Sequence, residues 1–201
     1  MKLDRRSVRE RVQRVLESRS RRTVEPGERV AAAVLLLLLY RGDEPYLVFT
    51  KKTETVPHHK GQFSFPGGVV ETVDGSRVET ALREAREEIG LDAATVEVLG
   101  VLDDVPTATT KFVITPVVGL CLRPPTLRAD GREIERVLEV PLRQLLDPAA
   151  FREELWERDG ALHPVAFFTC GDSVIWGATA RILKEFLDLM FRVDERPSPR
   201  A

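Results

Sequence analysis

The chain has 201 residues, of which 43% are hydrophobic and 31% charged, with 30 Lys and Arg against 32 Asp and Glu for a formal net charge of -2. That length suits one well-filled domain, and the balanced charge excludes the broad basic footprint that nucleic acid requires. Cys121 and Cys170 lie far apart with no CxxC spacing, which excludes a disulfide framework or a zinc knuckle and reads as two reduced, partly buried thiols of a cytoplasmic protein.

Residues 3–18 place Leu3, Val8, Val12, Val15 and Leu16 on one helical face, and a polar linker follows to Arg29. Residues 1–29 are therefore read as an N-terminal helix and linker, 30–192 as a single domain, and 193–201, with Pro197, Ser198 and Pro199, as a frayed tail. The apolar run Val30–Tyr40 falls well short of the ~18 to 20 residues that span a membrane. It reads as a buried central strand. The stretch before it carries Asp4, Glu10, Glu17, Glu25 and Glu28 and lacks the pattern of a signal peptide.

Further strands are expected at 45–51, 62–65, 95–102, 112–122 and 163–169, a helix at 77–89, and a last helix from Ala178 to Phe191. Arg143 to Asp159 reads as a short helix and a surface loop. Strands of mixed direction between helices suggest an α/β/α sandwich. His58, His59 and His163 form no metal-ligand set, and the first two read as loop surface.

The densest chemistry runs from Phe65 to Leu91. Ser76 and Glu79 form a capping box, so a helix starts near Arg77, and Gly90 stands where a left-handed cap ends it. Val78, Ala81, Leu82, Ala85 and Ile89 make its apolar face. Glu84 and Glu88 lie one turn apart on a neighbouring edge, with Glu87 further towards solvent. Ala81 and Ala85 border that edge, and their small side chains leave room for a ligand. Like charges at i, i+4 repel, so a divalent cation is the natural counterpart, and Mg²⁺ or Mn²⁺ with a phosphate matches the carboxylate supply. Taken alone, the helix reads more readily as a solvated charged face with Arg83 paired to Glu87, and it is the flanking segments that turn the reading towards metal. Just upstream, Gly67 and Gly68 follow the alternating Gln62–Phe65 and read as a tight turn whose amides can face a phosphate.

Arg83, Glu84, Ala85, Glu87, Glu88, Gly90 and Leu91 resemble the second half of the Nudix box. The first half departs: Asp74 and Gly68 each stand one position early, as a loop longer by one residue would place them. Phe49–Lys52 and His58–Gly68 resemble the additional motif of the coenzyme A diphosphatase branch of the Nudix hydrolases, as do Leu99–Asp104, Val113–Gly119, Glu139–Leu142, Leu145–Pro148 and Ile175–Arg181. Lys52 stands where that branch normally has Arg, and Pro57 and Val69 where a basic residue is often found.

The resemblance implies a Nudix fold and metal-dependent hydrolysis of coenzyme A or a derivative at its diphosphate, giving 3′,5′-ADP and 4′-phosphopantetheine or its acyl form. Glu84, Glu87 and Glu88 would ligate Mg²⁺ or Mn²⁺, and Glu87 or Glu133 would act as base. Lys52, Lys60, Gly61, Gln62, Gly67 and Gly68 would bind substrate. The partner would be a small nucleoside diphosphate derivative, with no nucleic acid and no membrane, and a homodimer suits such a fold. ADP-ribose, NADH or another nucleoside diphosphate derivative as substrate stands as the alternative, as does a Nudix-fold binding module without turnover.

Overall fold

One strand organises the chain in the computed structural model, which describes residues 3–54, 61–107 and 110–191. Val30–Arg41 (β1) is apolar along nearly its whole length, so both of its faces must be covered. Glu44–Lys52 (β2) turns back on it antiparallel, pairing Leu38 with Leu47. Phe63–Ser64 (β3) pairs antiparallel with the end of β2 at Thr50 and Lys51, on the same side of β2 as β1, and Gly67–Val69 (β4) pairs antiparallel with the start of β1. Val96–Val101 (β5) and Val105–Pro106 (β6) lie antiparallel to Phe112–Cys121 (β7), which runs parallel to β1. Ile134–Pro141 (β8) pairs with β2 and completes a mixed sheet of eight strands. A second sheet holds Phe151–Arg158 (β9), Ala161–Cys170 (β10) and Ser173–Trp176 (β11), all antiparallel.

Four helices cover the faces: Arg5–Glu17 (α1), Arg77–Ile89 (α2), Leu142–Leu146 (α3) and Gly177–Phe191 (α4). Alternation along β1 sorts them. Ala33, Leu35, Leu37 and Leu39 pack with Ala81, Ala85 and Ile89 of α2. Leu36, Leu38 and Tyr40 face the other way, in one cluster with Val8 and Val12 of α1, Phe168 of β10, and Leu183, Phe186 and Leu187 of α4. Each of the larger side chains contributes roughly 1.5 to 3 kcal/mol by leaving water. The α/β/α sandwich around a mixed sheet is therefore present, with α2 alone on one side.

Four expectations need correction. The double glycine does not make a turn: Gly67 and Gly68 belong to β4, because the bend at Phe65–Pro66 brings them alongside Ala33 and Val34. Residues 151–158 form β9 rather than a surface loop, held by an eight-pair register with β10 that its charged sequence does not advertise. β8 was not expected either. Its Glu135 and Glu139 break the apolar alternation, yet each meets a cation of another strand, Lys51 and Arg41. Ala81 and Ala85 leave no space for a ligand, since both are fully buried and let α2 lie close on β1.

Both cysteines are free and buried, and burial pushes the Cys170 thiol up to about 11. Among the described residues no helix is long and apolar enough to cross a membrane. Pro57, His58, His59, Lys60 and the tail from 192 onward lie outside the described residues, whereas His163 sits in β10 opposite Trp156.

The segment after α1 is tied to the sheet by one acid. Asp104 is 5% exposed and accepts from the Thr115 hydroxyl at 2.6 Å, the Val24 amide at 3.0 Å and the Arg21 guanidinium. The Asp104 amide in turn donates to the Arg22 carbonyl. Asp104→Ala leaves three donors without their acceptor, and is expected to lower stability by about 3 kcal/mol in urea unfolding and to open residues 19–24 to limited proteolysis. An unchanged urea midpoint would count against this role for Asp104.

Candidate active site

The site is built on the free edge of α2. Ser76 caps the helix by accepting from the Glu79 amide at 3.2 Å, and the Glu79 carboxylate returns to the Gly75 amide at 2.8 Å, one residue beyond the usual capping-box partner. Gly90 ends the helix at φ 66°, as its position required. Between these caps the glutamates take three different environments.

Glu88 is only 4% exposed. Its Oε2 accepts from the Gly67 amide at 3.1 Å, and its Oε1 accepts from the Lys52 ammonium at 2.6 Å. Burial nevertheless pushes its carboxyl up to about 7, with Lys52 and the Gly67 amide pulling the other way. Burial also works against the Lys52 ammonium, but Glu88 and Glu133 outweigh it and hold that pKa above the ordinary lysine value. Glu84 lies against Gly68, where any Cβ would run into its carboxylate. Burial raises its pKa, opposed by Arg83. Glu87 is half exposed and reaches the Arg83 guanidinium at 3.2 Å.

Arg83 is the hub that orders this edge. Its Nε and one terminal nitrogen bind both oxygens of Asp74 at 2.9 and 3.0 Å, and that nitrogen also donates to the Val69 carbonyl at 3.0 Å. The other terminal nitrogen pairs with Glu84 at 2.9 Å and Glu87 at 3.2 Å. Hydrogen bonds from Arg83, the Glu71 amide and Thr80 hold Asp74 well below the usual carboxylate range. Asp74 thus serves the loop rather than the open edge. It closes a turn with Glu71 and clamps the guanidinium from behind.

Of the residues singled out from sequence, the structure brings Lys52, Gly67, Gly68, Glu84, Glu87, Glu88 and Glu133 together. Glu133 is mostly exposed and lies 3.5 Å from the Lys52 ammonium. Gln62 sits at the rim through its carbonyl, which accepts from the Lys52 amide at 3.0 Å. Gly61, at φ 64°, lies against Glu54 instead. The Gly67 amide, expected to face a phosphate, is committed to Glu88. Sequence reasoning missed Asp130. Its carboxylate accepts from the amides of Arg132, Glu133 and Ile134, and its own amide donates to the Glu88 carbonyl, which fastens Glu133 to the end of α2. The only signal was the turn-forming Asp130-Gly131 pair.

Among the described residues, no three His, Cys, Asp or Glu side chains converge into a ready metal cage. A Mg²⁺-type site needs only one or two protein carboxylates with water and substrate oxygens. Glu88 already holds a cation, Glu84 has the clearance that Gly68 provides, and both carboxylates carry charge that burial disfavours. That donor set fits a hard divalent ion.

The NUDIX domain model matches residues 23–160. The chain is 37% identical over 167 residues to the uncharacterized Nudix hydrolase NudL of Cronobacter sakazakii, covering 82% of this chain and 84% of that protein. It is 39% identical over 155 residues to the uncharacterized Nudix hydrolase NudL of Salmonella paratyphi B, covering 76% and 79%. Among solved structures, the MutT protein from Methanosarcina mazei superposes with a TM-score of 0.54 at 16% identity, covering 89% of this chain and 99% of that one. The MutT/nudix family protein from Enterococcus faecalis gives 0.52 at 17% identity, covering 89% and 66%. At these identities the superpositions speak for the fold alone.

The raised Glu88 pKa carries a sign. Between the ordinary value of 4.5 and about 7 the native protein holds a proton that the unfolded chain has lost. The stability this contributes is complete below 4.5 and disappears as pH rises through 7. Metal-free protein should therefore lose stability from pH 5 to pH 8 relative to the Glu88→Gln variant. Parallel pH profiles of the two unfolding midpoints would refute this.

Proposed function

The chain belongs to the NUDIX domain family, hydrolases that act on phosphoric anhydrides of nucleoside diphosphate derivatives, and from that premise we propose that it splits coenzyme A or a coenzyme A derivative at the diphosphate. The observation that carries this reading is the contact between Gly61–Gly68, the described part of the His58–Gly68 segment, and the glutamate edge. That segment resembles the additional motif of the coenzyme A diphosphatase branch, and it meets α2 through Gly67 on Glu88 and Gly68 beside Glu84.

In this reading Glu84, Glu87 and Glu88 hold Mg²⁺ or Mn²⁺. Such an ion, when bound, neutralises phosphate oxygens and acidifies a coordinated water. The remaining work falls to the side chains. The Gly67 amide on Glu88 and the Arg83 guanidinium on Glu84 fix both carboxylates before substrate arrives, so little reorganisation remains during reaction. Water attacks one phosphorus, the bond from that phosphorus to the bridging oxygen breaks, and a carboxylate takes the water proton. Glu133 and Glu87 are both open enough to meet that water, and Glu133 is fixed in place by the Asp130 turn. The products are 3′,5′-ADP and 4′-phosphopantetheine, or its acyl form.

Coenzyme A, ADP-ribose, NADH and diadenosine polyphosphates, each incubated with Mg²⁺ or Mn²⁺ and resolved by chromatography, test the proposal. Coenzyme A should show the highest kcat/KM. Comparable values for ADP-ribose would sink the coenzyme A assignment, and turnover of none would favour a binding module. Glu88→Gln should lower kcat by at least ~10²-fold with circular dichroism unchanged, since the loss falls on transition-state stabilisation. Gly68→Ala should also cost ~10²-fold in kcat, because its Cβ displaces the Glu84 carboxylate.

A further inference from the structure

The two lysines that end β2 go to different places. A register irregularity falls between Lys51 and Lys52, where β2 meets β8, and it re-aims the second side chain. Lys51 turns to the exposed Glu135 at 2.8 Å. Lys52 turns inward, and only 17% of its side chain remains exposed. Its ammonium lies 2.6 Å from Glu88 Oε1, while the other Glu88 oxygen is taken by the Gly67 amide. Without a metal the buried carboxylate is thus already satisfied, by the side chain standing where a metal ligand must be free.

An ammonium and a divalent ion drawn to one carboxylate oxygen repel each other at close range, so an ion seated on Glu88 weakens the hold of Lys52. Lys52 has somewhere else to go. Glu133 Oε2 is 3.5 Å away on an open side chain, and a flexible lysine stem reaches it by turning its last torsions. We propose that Lys52 is a built-in counter-ion, which neutralises Glu88 in the metal-free protein and is released towards Glu133 and the diphosphate when a divalent cation takes that carboxylate. One side chain then couples metal loading to phosphate grip. A diphosphate that draws Lys52 away exposes Glu88 to the ion, and an ion that seats on Glu88 drives Lys52 towards the diphosphate. This rests on the reading of Glu84, Glu87 and Glu88 as metal ligands, but not on coenzyme A as the substrate.

Two measurements on the full chain at pH 8 test it. In calorimetric titration with Mg²⁺, Lys52→Gln should bind roughly tenfold more tightly than wild type, since no ion pair has to be broken. Lys51→Gln removes the same charge one residue away and should bind as wild type does. In the wild-type protein, acylation of lysines mapped by mass spectrometry should show Lys52 becoming several-fold more reactive on saturation with Mg²⁺, with Lys51 unchanged. Equal or weaker Mg²⁺ binding by a folded Lys52→Gln, or Lys52 reactivity that stays level or falls, overturns the proposal. If Lys52→Gln does not fold, the wild-type labelling decides alone. Absence of Mg²⁺ binding by wild type removes both the metal reading and this coupling. Lys52 unmasking in a protein that leaves coenzyme A intact removes the substrate assignment and keeps the coupling.

Discussion

A carboxylate held almost out of reach of water is the constraint on which the site depends. Glu88 stands on a helix whose adjoining face is pressed into β1 through Ala81, Ala85 and Ile89, so it cannot retreat to solvent without unseating the helix. A buried charge of this kind is costly unless it is paired and hydrogen-bonded. Two strands supply the pairing, Lys52 from β2 and the Gly67 amide from β4. β4 comes close enough because Gly67 has no Cβ. A side chain there would collide with the Ala33 carbonyl and Val34, and its φ of 154° disfavours any other residue. The glycine is thus required by strand packing, and the electrostatics of Glu88 follow from that packing.

The second ordering element is a cation. Arg83 gathers Asp74, Glu84, Glu87 and the Val69 carbonyl, using the planar fork that a lysine lacks. It connects the loop before α2, the end of β4 and two of the three glutamates. Repulsion between glutamates one turn apart is therefore relieved in two separate ways. Glu84 and Glu87 lean on Arg83, while Glu88 leans on Lys52. A divalent ion entering this edge meets one arginine that is locked from behind by Asp74 and one lysine that is not.

Much of this was legible in the sequence because it is local. The capping box, Gly90 and the apolar face of α2 are set by residues within a few positions of one another, and β1 is set by its own unbroken hydrophobicity. What escaped is what depends on distant partners. β9 reads as a charged loop because its stability comes from β10 and from Trp156 packing on Phe167 and Trp176. β8 conceals its strand character behind acids whose cations lie on β1 and β2. Ala81 and Ala85 look like clearance for a ligand in a helical projection, whereas the sheet fills that clearance. The pairing of Lys52 with Glu88 spans 36 residues and crosses from sheet to helix, so charge type could be read but not the partner.

The departure at residue 52 follows from the same geometry. An arginine fork at this place would tend to claim both oxygens of Glu88, and one of them is already bound by the Gly67 amide. A lysine makes a single contact and leaves the second oxygen to the backbone. It also gives up that contact more readily, since its ammonium is compact, well hydrated and mounted on a flexible stem. Arg83 illustrates the contrast on the same edge, because its fixed fork is matched by Asp74 at both ends and has no reason to move. The chain therefore places its rigid cation where glutamates must stay still and its mobile cation where a carboxylate must be vacated.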